Sequence, residues 1–247
     1  MSRVLLTGAN GDIGRSLVDH LRARHDLRAA VFDLERPDAA PPLEGEGVFR
    51  LDIRDAAAVR EAMKGVDAVV HLAGERAVSA SFEALVGPNI VGVQNVFEAA
   101  GEAGVRKLVF ASSNHATGGY DKAELWPLDA TQPVWPDSLY GVTKVFGEAL
   151  GRFVADRYAM SVICLRIGWF LPRPTRAALR MWLSPADARR LVDCCLQAQV
   201  GYGIYYGVSA NTRCTWDMTA AHEELGYFPE DDSERFVGEM GTTGETI

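Results

Sequence analysis

Tyr140 and Lys144 stand four positions apart in the stretch Ser138-Leu-Tyr-Gly-Val-Thr-Lys144. On an α-helix, side chains at that spacing fall on one face, so the phenol and the ammonium are expected to lie side by side. A phenol with a pKa of about 10 is a poor base at neutral pH, but a neighbouring ammonium stabilises the phenolate and lowers that pKa. The pair can therefore act as an acid–base catalyst, although ordinary amphipathic helices use the same spacing.

Three glycines near the start of the chain have the spacing of a nucleotide-binding turn. Gly8, Gly11 and Gly14 follow the apolar run Val4-Leu-Leu-Thr7 and open a helical pattern. Such a turn points backbone N–H groups and the positive end of a helix dipole at a pyrophosphate, and the missing Cβ atoms permit close approach. Asp33 ends the second apolar run, where an acid accepts both hydroxyls of an adenosine ribose and repels a 2′-phosphate. The turn and the acid together predict NAD in preference to NADP.

Length and composition limit the classes of protein to which the chain can belong. Its 247 residues, 48% hydrophobic and 23% charged, suit one compact domain with at most a small appendage. The net charge of -8 argues against a nucleic-acid partner, which needs a basic surface. No apolar run is long enough to span a membrane, and Met1 leads into a strand without a signal peptide. Four cysteines without a CxxC pair predict reduced thiols in a cytoplasmic protein and no metal site.

Apolar runs alternate with helical patterns along the first two thirds of the chain. The predicted strands are Val4–Thr7, Leu27–Asp33, Val48–Leu51, Asp67–Ala73, Lys107–Ser112 and Val162–Ile167. The predicted helices run from about Ile13 to His25 and over Ala56–Met63, Phe82–Ala103 and Leu139–Tyr158. Near-continuous apolar strands between helices indicate an α/β fold of the Rossmann type, with a doubly wound parallel sheet covered on both faces. The long connection Asn114–Pro136 is expected to be functional, as such loops in compact domains commonly are.

Beyond Gly168 the regular alternation weakens. Ser184 and Pro185 open a helix as its capping residue and first-turn proline, and Tyr202–Tyr206 is predicted as a strand. We predict an NAD-binding Rossmann domain over residues 1–167 and a small substrate-binding cap over residues 168–237, integrated with the carboxyl edge of the sheet. Residues 238–247 have little to bury and are predicted to form a flexible tail.

Taken in order, these motifs resemble the extended short-chain dehydrogenase/reductase (NAD-dependent epimerase/dehydratase) family over nearly the whole chain. Thr7–Gly14 is similar to that family's TGxxGxxG loop, and Tyr140 with Lys144 to its YxxxK pair. The resemblance implies NAD as cofactor, a homo-oligomer, and a catalytic set of Ser113, Tyr140 and Lys144. The cofactor-binding residues that it implies are Gly8, Asn10, Gly11, Asp12, Ile13, Gly14, Asp33, Asp52, Ile53, Leu72, Ala73, Gly74, Asn89, Tyr140 and Lys144.

A closer resemblance within the family is to the uronate dehydrogenases. The segments that carry it are Ser112–His115, Gly118–Tyr120, Pro136–Glu148, Arg166–Gly168, Trp182–Ser184 and Gly207–Asn211. Those enzymes oxidise the anomeric carbon of glucuronate or galacturonate to an aldarolactone with NAD, which implies a small sugar acid as the partner. Two departures affect the substrate side: Trp169 stands where those enzymes keep a serine, and Glu75–Ser79 is one residue longer and lacks the family serine.

The substrate side is expected to include Ser113, Asn114, His115, Trp169 and Arg176. Asn114 is expected to hydrogen-bond the substrate, whereas His115 is equally well explained as a support for its loop. Trp169 either walls the sugar site or belongs to the core. An arginine fork can hold a carboxylate with two bonds, and the resemblance leaves both Arg176 and Arg180 open for that role, with Arg176 favoured.

Three functions fit these residues. In the leading one, Tyr140 takes the hydroxyl proton while a hydride leaves for NAD, Lys144 stabilises the phenolate and grips the nicotinamide ribose, and Ser113 hydrogen-bonds the substrate oxygen. The first alternative is a nucleotide-sugar epimerase or dehydratase, which regenerates its cofactor. The second is a non-catalytic NAD-binding relative, although such relatives commonly lose the tyrosine or the lysine. An NAD-dependent oxidation of a C1 hydroxyl is favoured.

Overall fold

A parallel sheet of seven strands forms the centre of the computed structural model, which describes residues 1–32 and 43–240. The strands of this sheet are β1 Arg3–Thr7, β2 Asp26–Val31, β3 Val48–Arg50, β4 Ala68–His71, β5 Lys107–Ser113, β6 Ser161–Ile167 and β9 Tyr202–Gly207. Their spatial order is β3-β2-β1-β4-β5-β6-β9. Strands β2 and β3 are added on one side of β1 and the later strands on the other side, so the strand order reverses between β1 and β4. In open α/β sheets, ligands bind at the carboxyl ends of the strands near such a reversal. The predicted fold class is confirmed.

Buried side chains on both faces explain why the strands are apolar almost throughout. In β1, Val4 and Leu6 pack into the core on one face, and Leu5 packs into the core on the other. All three side chains are fully buried, as expected when side chains alternate across a strand that is covered twice. The two faces of β1 therefore contribute to two separate apolar cores.

The helices cover the two faces of the sheet. In chain order they are α1 Asp12–Arg22, α2 Ala56–Ala62, α3 Phe82–Leu85, α4 Val93–Glu102, α5 Gly118–Lys122, α6 Leu139–Tyr158, α7 Pro185–Gln197 and α8 Thr219–Leu225. The described residues also form 3₁₀ turns over Asn114–Ala116, Arg176–Ala178 and Ser233–Glu239. The predicted bounds of α6 are confirmed at both ends.

Two predictions about local structure need correction. The single helix expected over Phe82–Ala103 is interrupted by a π-helical turn, Val86–Gly92, which contains Pro88. Proline has no N–H to donate, so the regular hydrogen-bond ladder cannot run through it. The connection Asn114–Pro136 is not a bare loop, because it contains a 3₁₀ turn and α5.

Residues beyond Gly168 add to the sheet and also build a small layer above its carboxyl edge. The predicted strand near Tyr202 is confirmed as β9, which pairs with β6 in parallel. Above the edge, β7 Trp169–Phe170 pairs with β8 Trp182–Leu183. The division of the chain at residue 168 stays a prediction. Within the predicted tail, Glu239 ends a 3₁₀ turn and pairs with Arg173, while residues 241–247 lie outside the described part.

Within residues 1–32 and 43–240, every helix is too short or too polar to cross a bilayer.

Candidate active site

The first turn of α6 is held close to the end of β5. Ser138 caps the helix by accepting a hydrogen bond from the N–H of Gly141 at 3.0 Å. A Cβ on Gly141 would lie 2.3 Å from the carbonyl oxygen of His115, so this position allows only glycine. The close approach places Tyr140 against the residues that follow β5.

Lys144 lies one turn further along the same face of α6 and is 7% exposed. Its Nζ donates a 2.8 Å hydrogen bond to the carbonyl oxygen of Ala111 and lies 5.3 Å from the centre of the Tyr140 ring. Burial lowers the pKa of the Lys144 ammonium to about 8, against the opposing charge of Glu148. The predicted proximity of the phenol and the ammonium is therefore present.

The expected lowering of the Tyr140 pKa is wrong. Burial raises the pKa of the phenol, a hydrogen bond with Ser113 lowers it by less, and the negative charge of Glu75 adds to the rise. The ammonium of Lys144 lies over the Tyr140 ring and is bonded to a main-chain oxygen, and its charge does not reverse the rise. Favouring the phenolate at neutral pH requires further positive charge in the site.

Ser113, Asn114 and His115 form the polar end of β5. The Ser113 hydroxyl donates to the Asn114 side-chain oxygen at 3.2 Å and accepts from the main-chain N–H of His115 at 3.3 Å. The His115 ring is 2.9 Å from a carboxylate oxygen of Asp137 and packs edge-on against Tyr140 at 5.8 Å. Burial alone would raise the pKa of the Asp137 carboxyl, but the hydrogen bond and charge of His115 keep it below its usual range. His115 is thus oriented by an acid and touches the phenol.

The glycine turn has the tight geometry that a nucleotide-binding turn needs. Gly8 has φ of 73°, a left-handed conformation that disfavours other residues, and a Cβ there would lie 2.6 Å from the main-chain nitrogen of Ala73. Helix α1 begins at Asp12, directly after this turn, and a helix N-terminus at that place favours an anion.

One cleft of about 1260 Å³ joins the glycine turn to the polar end of β5. The predicted residues that line it are Gly8, Asn10, Gly11, Asp12, Ile13, Gly14, Asp52, Ile53, Leu72, Ala73, Gly74, Ser113, Asn114, His115, Tyr140, Lys144 and Trp169. Apolar walls from Phe32, Leu51 and Ile53 at one end suit an adenine ring, and the other end holds the Tyr140 hydroxyl. The residues present therefore fit NAD along the whole length of the cleft.

Two predicted site residues, Asn89 and Arg176, lie in the described part of the chain but do not line this cleft. Asn89 is buried, and its side chain instead holds the backbone of Glu75 and donates to the Thr143 hydroxyl at 3.1 Å. Arg176 donates to the carbonyl oxygen of Met240 at 2.9 Å and is not among the lining residues. Asp33 lies outside the described residues, so its assignment stays a prediction.

Of the two arginines left open for the carboxylate, the less favoured Arg180 lines the cleft, with its guanidinium 4.4 Å from the centre of the Trp126 ring. Further charged residues that line the cleft were not predicted from the sequence. Glu75 and Arg76 line it from the segment after β4, and Arg54 lines it beside Asp52. The unusual length of Glu75–Ser79 was the available signal for Glu75 and Arg76. No signal in the sequence singled out Arg54, which stands two residues after Asp52.

The fold and this cleft define a dinucleotide-dependent oxidoreductase of the doubly wound class. Residues 4–181 match the NAD dependent epimerase/dehydratase family, and the chain belongs to that family. The predictions of the family, of NAD as cofactor and of an NAD-dependent dehydrogenase acting on CH–OH groups are confirmed.

Three relatives show how far the similarity extends. An NAD-dependent glucose-6-phosphate dehydrogenase of Haloferax volcanii is 39% identical over 96% of both chains. A uronate dehydrogenase of Pseudomonas putida is 42% identical over 95% of this chain and 86% of its own. The crystal structure of a mutant uronate dehydrogenase from Agrobacterium tumefaciens complexed with NAD has a TM-score of 0.86 at 35% identity, covering 99% of this chain and 92% of that one.

Proposed function

We propose that the protein oxidises the C1 hydroxyl of a cyclic sugar acid with NAD and releases an aldarolactone. The observation that carries this proposal is that Ser113, Tyr140 and Lys144 meet in the same cleft as the glycine turn. Relatives named as uronate and glucose-6-phosphate dehydrogenases support oxidation of a sugar over epimerisation.

In the proposed reaction the C1 hydroxyl is held by Ser113 and gives its proton to Tyr140. Lys144, 5.3 Å from the centre of the phenol ring, favours the phenolate through its charge. The residues that line the cleft from the glycine turn to Tyr140 would hold NAD, which would supply the acceptor for the hydride from C1 and a positive charge that also favours the phenolate. The C1 carbon loses a hydride and the C1 hydroxyl loses a proton. C1 thereby becomes the carbonyl carbon of the lactone.

We assign the acidic group of the sugar to Arg180 and not to Arg176. Arg180 lines the cleft, and its Nη1 is buried without a hydrogen-bond partner in the described part of the chain. A buried donor of this kind is costly unless a ligand or water satisfies it, and a carboxylate does so with charge. The guanidinium packs against the Trp126 ring, and this contact restricts its orientation.

A sugar phosphate is the second candidate substrate. Arginine holds phosphate as well as carboxylate, and Trp169 stands where the uronate dehydrogenases keep a serine that reaches the substrate. Because Trp169 is 43% exposed and lines the cleft, its side chain changes the shape of the sugar pocket. Glucose 6-phosphate therefore belongs in the same experiment as the uronates.

The test is a substrate panel with purified protein and NAD. Glucuronate, galacturonate, glucose 6-phosphate, glucose and L-arabinose are each followed by NADH absorbance, and products are identified by NMR. The proposal expects net NADH and a lactone from at least one uronate. NADH from glucose 6-phosphate but from no uronate would move the assignment to the second candidate.

Two further outcomes would overturn the proposal. Interconversion of nucleotide sugars without net NADH would indicate an epimerase. NAD binding without turnover of any sugar would indicate a non-catalytic relative. NADP and NAD are compared in the same assay, because a preference for NADP would contradict the role expected for Asp33.

A further inference from the structure

The turn that carries Arg180 is fixed by hydrogen bonds to its main chain on both sides of that residue. The carbonyl oxygen of Leu179 accepts a 2.7 Å bond from the Ser233 hydroxyl. The carbonyl oxygen of Met181 accepts a 2.6 Å bond from the main-chain N–H of Trp169. Leu179 and Ser233 are both buried. The Arg180 side chain therefore extends from a main chain whose neighbouring oxygens are already held.

Ser233 is anchored by a second buried side chain, that of Asn211. The Asn211 side-chain oxygen accepts from the N–H of Ser233 at 3.3 Å, and its amide nitrogen donates to the carbonyl oxygen of Trp182 at 2.8 Å. Phe236 lies on the same 3₁₀ turn as Ser233 and packs edge-on against the Trp182 ring at 5.5 Å. Ser233 is therefore held against β8 and has little freedom to move with the turn that it bonds.

The place of this main chain matters for the acidic group of the sugar. An arginine holds an acid with two bonds only when the guanidinium lies at the right distance and angle. The Trp126 ring, 4.4 Å away, restricts the outer atoms of Arg180, whereas the bond from Ser233 fixes the peptide from which the side chain extends. Without the Ser233 hydroxyl, the buried carbonyl oxygen of Leu179 loses this bond and the turn can shift.

Ser233 does not line the cleft, so any effect that it has on the substrate passes through the turn. We propose that Ser233 is a positioning residue that holds the turn of Arg180 where the guanidinium can bind the acidic group of the sugar. The inference rests on the proposed function, because it takes Arg180 as the residue that binds this group. It makes the C-terminal turn Ser233–Glu239 part of the substrate side, although that turn does not line the cleft.

The test measures kcat and KM of Ser233→Ala with NAD and with the acidic sugar that turns over fastest in the substrate panel. KM should rise by about threefold to tenfold, as expected for the loss of one neutral hydrogen bond. kcat and the Kd for NAD should each stay within about twofold, because the reacting groups and the glycine turn are unchanged. A merely structural role would lower the melting temperature without this split between KM and kcat, and thermal unfolding verifies that the variant is folded.

A double variant shows whether Ser233 acts through Arg180. If it does, adding Ser233→Ala to Arg180→Ala leaves KM at the value of Arg180→Ala alone. A further rise by the same factor as in the natural background would overturn the proposal, as would an unchanged KM in Ser233→Ala itself. An unchanged KM in Arg180→Ala is a different failure, because it contradicts the arginine assigned in the proposed function and removes this inference with it.

Ser161→Ala is the matched control. The Ser161 hydroxyl also donates to a main-chain carbonyl oxygen, that of Val200. Ser161 is the first residue of β6, so it lies at the opposite edge of the sheet from the cleft. KM of this variant should equal that of the natural protein.

Discussion

Arg166 donates two hydrogen bonds of 2.9 Å to the carboxylate of Glu148, and the two side chains are 1% and 3% exposed. The Ser112 hydroxyl donates to the same carboxylate at 2.6 Å. Glu148 lies one turn beyond Lys144 on α6, and Ser112 directly precedes Ser113 on β5. The buried pair therefore ties the strand that carries the serine to the helix that carries the tyrosine and the lysine.

Glu148→Gln should lower the free energy of unfolding by about 3–5 kcal/mol, because it leaves the buried Arg166 charge uncompensated. The measurement is urea unfolding at neutral pH, followed by circular dichroism. Activity in the folded fraction should also fall, since Ser112 loses its charged partner.

The double variant Glu148→Leu with Arg166→Met separates charge from packing. Replacing both ions with apolar residues of similar volume should restore most of the stability lost in Glu148→Gln. Equal stability of Glu148→Gln and the natural protein would show that the pair is not the structural link described above.

Tyr140→Phe should reduce kcat by about a hundredfold to ten-thousandfold, the usual contribution of a general base. The Kd for NAD should stay within about twofold, because the change removes one oxygen from the reacting end of the cleft. Since burial raises the pKa of Tyr140, kcat/KM of the natural protein should rise with pH through the neutral range. Tyr158→Phe, at the far end of α6, is the control and should retain activity. Retained turnover in Tyr140→Phe would exclude the phenol as the base.

Arg180→Ala should raise KM for acidic sugars by about tenfold to a hundredfold, as for the loss of charged hydrogen bonds. KM for L-arabinose, which carries no anionic group, should change much less. Arg176→Ala is the matched control, because that side chain bonds the main chain of Met240 and is not among the lining residues. The opposite ranking of the two arginines would return the carboxylate to Arg176.

The sequence predicted the fold and the chemistry through features that are local in the chain. The three glycines after β1 and the spacing of Tyr140 and Lys144 each specify a local conformation, and the alternation of strands and helices fixes where they meet. The bounds of α6 were predictable because Ser138 is a strong capping residue at its start.

The features of the site that could not be predicted from the sequence depend on tertiary contacts. The pKa of Tyr140 is governed by burial, which the spacing to Lys144 does not reveal. Arg180 and Arg176 differ by one helical turn in the chain, and only the path between β7 and β8 decides which one enters the cleft. The sequence does indicate that Arg166 has a buried partner, because a charged residue inside an apolar strand needs one, but it does not show that the partner is Glu148.

His71 gives the protein a specific sensitivity to acid. Its ring is fully buried, with Nδ1 2.6 Å from the Thr7 hydroxyl and with Nε2 lacking a partner among the described residues. Burial, aided by the charge of Lys144, lowers the pKa of His71 from 6.5 to about 3. The unfolded chain therefore takes up a proton below pH 6.5 that the folded protein does not accept until about pH 3. Stability must fall as the pH drops through this window.

Between pH 7 and pH 5 this single group should cost about 2 kcal/mol of unfolding free energy. His71→Asn should lower stability at both pH values, because the smaller side chain leaves space between Phe97 and Phe110. The variant should not show the part of the stability loss between pH 7 and pH 5 that protonation of His71 causes. Urea unfolding at the two pH values measures it, with His222→Asn as the control for a histidine on a surface helix. An equal acid loss in His71→Asn and the natural protein would mean that His71 is already protonated when folded, and that its burial does not keep the imidazole neutral.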